Sequence, residues 1–439
     1  MRKSLGCLLG LSLAATQVQA GPEEVNRFTL DNGMEVLVVE DHSIPNANMY
    51  LFWKVGSRNE RPGITGLSHF FEHMMFNGAK KYGPGQFDKV MEAAGGANNA
   101  YTSEDVTVYT DWFPAQSLET IFDLEADRIA HLAIDPKRVA SEREVVASER
   151  TTGLENSNWR TLSEEVKGVA FRAHPYSWSV IGHESDIKAW RQEDLESYHR
   201  TYYAPNNALV VVAGDVTTAK VKELAKRYFA PIPAQAPPLP VVTVEPQQKG
   251  ERRLYVHKAS VTSPNLMVAY HVPATKDADT PALQLLVSIL AGGKSGRLKK
   301  ALIDEQKLAT DVEAYLPDTF DPNLFYLYAV ATPGTDQQAL EKGLLAEVAR
   351  IRDQGVSVQE LDKARNLMLM QSYGELETIN GKANALGTYA LYYGDYRKLY
   401  TLGQDFDKVS PADIQRVAKA YLTKANRTVG VLGSKEDLE

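Results

Sequence analysis

Apolar and polar positions follow two different periods along this chain, and the two interleave. Residues 28–39 hold two runs rich in Phe, Val and Leu on either side of Asp31-Asn32-Gly33. An Asn-Gly pair between such runs signals a tight hairpin, because both residues tolerate the positive φ that the turn needs. Apolar runs at 49–55, 106–113 and 209–213 predict further strands. Residues 66–76, 86–94, 115–131 and 136–155 instead repeat their apolar positions every three or four residues and predict helices. Strands and helices alternate, with turns short enough for antiparallel pairing. The pattern predicts an α+β fold, a mainly antiparallel sheet covered by helices.

The same pattern occurs twice. A shift of 219 residues carries Asp194-Leu195 onto Asp413-Ile414, Tyr202 onto Tyr421, Asn207 onto Asn426 and Gly214 onto Gly433. It also carries Pro45-Asn46 onto Pro264-Asn265, each pair just ahead of an apolar run. Distant blocks sharing one offset predict two homologous halves. Between them, residues 231–246 hold six prolines, which cannot continue a helix and read as a semi-rigid linker. The expected organisation is an N-terminal half over 21–230, a linker over 231–250 and a C-terminal half over 251–439.

Residues 1–20 sit apart from this pattern. Arg2 and Lys3 precede an apolar run over 5–15, and Val18-Gln19-Ala20 offers a cleavage site before Gly21. This reads as a secretory signal peptide, so the expected location is across the inner membrane, periplasmic in a Gram-negative cell. No later run is long and apolar enough to predict a membrane span.

Composition narrows the chemistry. The 439 residues are 44% hydrophobic and 24% charged, as in ordinary globular proteins. The formal charge is −8 without a basic cluster, so no nucleic-acid partner is expected. The single cysteine, Cys7, excludes a disulfide framework and a thiolate metal site. A metal would have to be held by His, Asp or Glu.

One stretch supplies such ligands. His69 and His73 lie four apart on the helix predicted over 66–76, so both imidazoles project from one face. Glu72 lies beside them, placed to take a proton from a metal-activated water. This is the H-x-x-E-H order of an inverted zinc-peptidase motif, which chance yields on the order of 0.01 times in a chain this long. A catalytic zinc usually has three protein ligands and one open position. Candidates for the third lie on the helix predicted over 136–155, and spacing alone leaves Glu142, Glu144 and Glu149 open. Residues 291–296 have the look of a phosphate loop, but Ser288 stands where its first Gly is required.

The stretch Gly66-Leu67-Ser68-His69-Phe70-Phe71-Glu72-His73-Met74-Met75-Phe76-Asn77-Gly78 resembles the pitrilysin/insulinase family of zinc peptidases. It is most similar to the branch holding the mitochondrial processing peptidase β subunit and its bacterial relatives. The likeness continues through Asn99-Ala100-Tyr101-Thr102-Ser103 and Glu142-Arg143-x-Val145-Val146-x-x-Glu149, and takes in the two halves. The resemblance implies a clamshell of two duplicated halves admitting unfolded peptides. It implies one Zn²⁺ per chain held by His69, His73 and Glu149, Glu142 as a supporting carboxylate, and Glu72 as the catalytic base. It also implies that Asn99, Ala100 and Tyr101 pair with the substrate backbone. The offset carries His69, Glu72 and His73 onto Ser288, Ala291 and Gly292, so no second metal site is expected.

One departure bears on partners. Active relatives carry in their second half an Arg and, seven residues later, a Tyr that contact the substrate. Here Ile303 and Thr310 occupy those positions. Some relatives divide zinc and the Arg/Tyr pair between two subunits. The resemblance therefore implies a hetero-oligomer in which this chain bears the zinc and a homologous partner bears the pair. The competing expectation is a non-catalytic structural or binding subunit of the same fold.

Overall fold

A computed structural model describes residues 24–434. The leader read over 1–20 lies outside the described residues. The first sheet holds β1 (Val25–Thr29), β2 (Glu35–Glu40), β3 (Asn46–Trp53), β4 (Ala97–Thr102), β5 (Thr107–Pro114) and β6 (Ala208–Gly214). Its order is β1-β2-β6-β3-β5-β4. The second holds β7 (Arg252–His257), β8 (Asn265–Val272), β9 (Ala309–Tyr315), β10 (Asn323–Ala331) and β11 (Arg427–Gly433), ordered β7-β11-β8-β10-β9. Each sheet has one parallel pair, β2 with β6 and β7 with β11, and is otherwise antiparallel. Five strands of each sheet thus follow one plan, and β1 is an addition to the first.

The 219-residue shift carries β3 onto β8 and β6 onto β11 residue for residue. It fails between β8 and β10, where the helix after β8, Thr280–Ala291, is longer than its counterpart in the first half. Ser288 and Ala291 fall in that helix and Gly292 just past its end.

The helices named below are α1 (Leu67–Met74), α2 (Gln86–Ala93), α3 (Leu118–His131), α4 (Pro136–Asn156) and α5 (Asn158–Ala170). One face of the first sheet packs against α1, α2 and α3 through Trp53, Phe70, Phe71, Met91 and Phe122. Its other face, with Leu37, Tyr50, Phe52 and Val211, is covered by Ile379, Ala383 and Leu386 from the second half. The exchange is mutual. Leu162, Val166 and Ala170 of α5 cover Met267, Ala269, Tyr326 and Leu432 of the second sheet. Each half therefore lends the other a helix to complete its core. The halves face one another as a clamshell, tied also by Arg58 donating from Nε to Asp321 at 3.0 Å and by Lys382 to Asp41 at 2.7 Å.

The exchanged helix Ile379–Thr388 seats closely because Gly387 has no side chain. A Cβ there would lie 2.1 Å from Cε2 of Phe52, a ring buried in β3. Alanine normally stabilises a helix interior by about 1 kcal/mol over glycine, but overpacking costs about 1–3 kcal/mol. Gly387→Ala is expected to lower the thermal midpoint. Gly374→Ala, at a helical position with open space around it, is expected to hold or raise it. Thermal unfolding of the two variants side by side checks this.

Candidate metal centre

Helix α1 is fixed at both ends. Gly66 adopts φ +89°, and a Cβ there would lie 2.5 Å from the carbonyl oxygen of Ile181, so glycine is required by both conformation and space. The Glu60 carboxylate accepts from the N–H groups of Gly66 at 2.7 Å and Ser68 at 2.8 Å, capping the helix from outside it. Leu67, Phe70, Phe71 and Met74 are buried in the core. That orientation turns His69, Glu72 and His73 the other way, toward α4 and the end of β4.

Helix α4 begins at Asp135, whose carboxylate accepts from the N–H groups of Lys137 and Arg138. Glu142 and Glu149, two turns apart, face α1, whereas Glu144 is exposed. An oxygen of Glu149 lies 3.5 Å from Nε2 of His69 and 3.4 Å from Nε2 of His73. The ligand atoms of His69, His73 and Glu149 all fall within 4.8 Å of one another. For metal–ligand bonds of about 2.0–2.1 Å, tetrahedral geometry separates the ligand atoms by roughly 3.3 Å. The triad meets that spacing on the two edges involving Glu149.

Glu142 accepts from Nδ1 of His73 at 2.8 Å, and its other oxygen accepts from Nδ2 of Asn77 at 2.8 Å. With the Nδ1 proton held there, Nε2 is the nitrogen turned to Glu149. A carboxylate behind a histidine in this way orients the ring and increases its basicity. Burial holds the His69 imidazole down to about 4, against the pull of Glu149, so it stands neutral as a ligand must. Its Nδ1 is buried and has no hydrogen-bond partner among the described residues. At His73 burial also works downward, but the hydrogen bonds to Glu142 and Glu149 outweigh it and raise the ring to about 9. The two carboxylates stabilise a positive charge at this ring, carried by its own proton until a cation displaces that proton and leaves His73 neutral. The donor set thus fits a divalent cation in both spacing and charge.

Glu72 stands beside the triad. Its Oε2 accepts from Oγ1 of Thr102 at 2.6 Å, so its direction is set by the end of β4. Burial raises the Glu72 carboxyl above its ordinary range, against that hydrogen bond. A carboxylate of this kind is a suitable proton acceptor near neutral pH. Thr102 lies in the stretch the sequence picks out, yet nothing in its spacing marks it as the partner of Glu72. Glu60 carries no sequence signal at all.

Asn99, Ala100 and Tyr101 lie on β4, the edge strand of the first sheet, which among the described residues pairs with β5 alone. Asn99 and Tyr101 are exposed, and Ala100 packs on the core. The Tyr101 hydroxyl donates to Oδ1 of Asn384 at 3.3 Å, on the helix lent by the second half. The free edge of β4 can accept an extended peptide as a further strand. Its Thr102 end lies beside Glu72. A cleft of about 270 Å³ opens beside the triad, lined among others by His69, Thr102, Glu149, Trp159 and Arg160. Away from this cleft, Ile303 packs on the second core and Thr310 is exposed on β9.

Two family models match the chain, one described as insulinase, peptidase family M16, over residues 35–184, the other as peptidase M16 inactive domain over 189–368. The chain is 32% identical over 426 residues to the zinc protease PqqE of Helicobacter pylori, covering 96% of this chain and 94% of that one. It is 25% identical over 426 residues to a probable mitochondrial-processing peptidase subunit beta of Arabidopsis thaliana, covering 94% and 79%. A crystal structure of a protease from Helicobacter pylori superposes with a TM-score of 0.89 at 32% identity, over 94% of this chain and all of that one. Among the described residues no helix is long and apolar enough to cross a membrane.

Proposed function

The chain belongs to the insulinase family of peptidases, M16, and on that premise we propose that it is a zinc-dependent endopeptidase acting on unfolded peptides. The observation that carries this reading is the convergence of His69, His73 and Glu149, with Glu72 beside them and turned to Thr102. These three residues would hold the metal, and Glu142 would hold His73 in place. Bound there, Zn²⁺ supplies a Lewis acid that acidifies water and polarises the scissile carbonyl. The β4 edge holds the peptide backbone in extended form, and Asn99, Ala100 and Tyr101 provide the pairing positions. Glu72 takes the proton from the attacking water and returns it to the leaving amine. Thr102 keeps the accepting oxygen of Glu72 aimed.

The resemblance places Ile303 and Thr310 at the Arg and Tyr positions of active relatives, and neither offers the guanidinium or the phenol hydroxyl that those residues hold to the substrate. We therefore assign this chain the zinc-bearing role in a hetero-oligomer whose homologous partner contributes the pair. The leader read over residues 1–20 supports export, to the periplasm in a Gram-negative cell. A second reading, a non-catalytic subunit, rests on Ile303 and Thr310 alone, since the match described as an inactive domain falls on the half that has no metal ligands in either reading.

Peptide cleavage by the mature chain, alone and with a homologous partner bearing the Arg/Tyr pair, separates the two. The expected result is one zinc per chain with cleavage only in the assembled pair. Full activity of the isolated chain would remove the need for a partner. A metal-free chain that cleaves nothing in either preparation would favour the non-catalytic subunit.

A further inference from the structure

We propose that Arg160 reads a carboxylate on the peptide substrate, an inference that rests on the peptidase reading above. Arg160 is exposed on the first turn of α5 and lines the same cleft as His69 and Glu149. Three cations line that cleft: Arg150, Arg160 and Lys167. Arg150 is paired with Glu164, and Lys167 with Glu104. Among the described residues no carboxylate forms an ion pair with Arg160, although His69 and Glu149 lie within reach of its field.

The guanidinium also has a seat. It rests against α4 at Gly153, one turn beyond Glu149, where a Cβ would lie 2.8 Å from Nη1. Any larger side chain at 153 would displace it. The bare backbone therefore leaves room for a charged fork at the mouth of the metal cleft, with its donors unspent on protein carboxylates among the described residues. A guanidinium matches a carboxylate through two parallel hydrogen bonds, which a lysine cannot reproduce. The chain as a whole is acidic, with a net charge of −8, so a local cation is needed to hold a carboxylate here. The carboxylate belongs either to an Asp or Glu side chain near the cleaved bond or to the peptide's C-terminus.

The test uses the zinc-loaded enzyme, assembled with its partner where cleavage requires it. One peptide sequence is made with Glu, Gln or Lys at successive positions about the cleaved bond, each with a free or amidated C-terminus. The wild type is expected to favour one carboxylate-bearing peptide over its neutral counterpart by about tenfold in kcat/KM, carried by KM. Arg160→Gln should bring the two to parity, and Arg160→Glu should turn the preference toward the Lys peptide, with zinc content unchanged in both. Loss of preference on replacing Glu by Gln assigns the side chain; loss on amidation assigns the terminus. The same peptides are titrated against the Glu72→Gln protein with and without Arg160→Gln, so that binding is read apart from turnover. A wild type indifferent to the carboxylate, or a preference that survives Arg160→Gln, overturns the proposal. Failure of the wild type to cleave any peptide would count against the peptidase reading, and the binding series would still decide the role of Arg160.

Discussion

Glu72→Gln is expected to lower kcat by about 10²–10⁴-fold, the range general acid–base groups contribute, while the protein keeps its zinc. Glutamine preserves the size of the side chain and can still accept from Oγ1 of Thr102 through its carbonyl oxygen. The α1 backbone and its buried face are untouched. What is lost is the capacity to take a proton. Because Glu72 lies outside the converging triad, its replacement removes no ligand. Steady-state kinetics paired with elemental analysis checks both halves of the expectation. Turnover within a few-fold of wild type at full zinc occupancy would remove Glu72 from the mechanism.

The proposed metal ligands should behave differently, and in a graded way. His73→Ala or Glu149→Gln leaves only two ligands, and zinc should be lost together with activity. Glu142→Gln keeps all three but weakens the acceptor that holds Nδ1 of His73. Replacing such a supporting group typically costs about 10–100-fold in metal affinity, so this variant should bind zinc weakly and regain cleavage when zinc is added in excess. Competition with a chelator of known affinity measures the series. Equal affinity in wild type and Glu142→Gln would show that Asn77 or the packing of α1 against α4 suffices to fix the ring. Full zinc occupancy in His73→Ala would place the metal elsewhere.

Much of this site is legible in sequence because its logic is local. His69, Glu72 and His73 fall on one helix, and their separation is a property of the helical repeat. The 219-residue offset is legible for a similar reason: β3 and β8, or β6 and β11, are buried on both faces and tolerate no insertion. The connection after β8 keeps no such register, because its helix is longer than its counterpart, so the offset fails at β9 and β10. Choosing Glu149 over Glu142 and Glu144 required the crossing of α4 over α1, which no spacing within α4 encodes. It came from the resemblance, and the structure turns Glu149 to both imidazoles, Glu142 to the back of His73 and Glu144 to solvent. The exchange of helices between halves left no trace in the pattern, because α5 and Ile379–Thr388 present an apolar face whichever sheet receives it. Arg160 was equally silent. Its significance depends on which cations around it are already paired, and those pairs, Arg150–Glu164 and Lys167–Glu104, form only in the folded chain.

The exchange has a consequence for how the site is held. The cleft beside the triad is walled partly by α5, which is seated on the second sheet. The position of Trp159 and Arg160 relative to His69 therefore depends on how the two halves sit together.

Zinc titration into the chelated protein, with the proposed homologous partner present, tests the central claim most directly. Cleavage of an unfolded peptide should return in proportion to added zinc and saturate at one equivalent per chain, while the same titration of Glu149→Gln returns nothing. Cleavage by the metal-free chain at the wild-type rate, or undiminished recovery in Glu149→Gln, would contradict it.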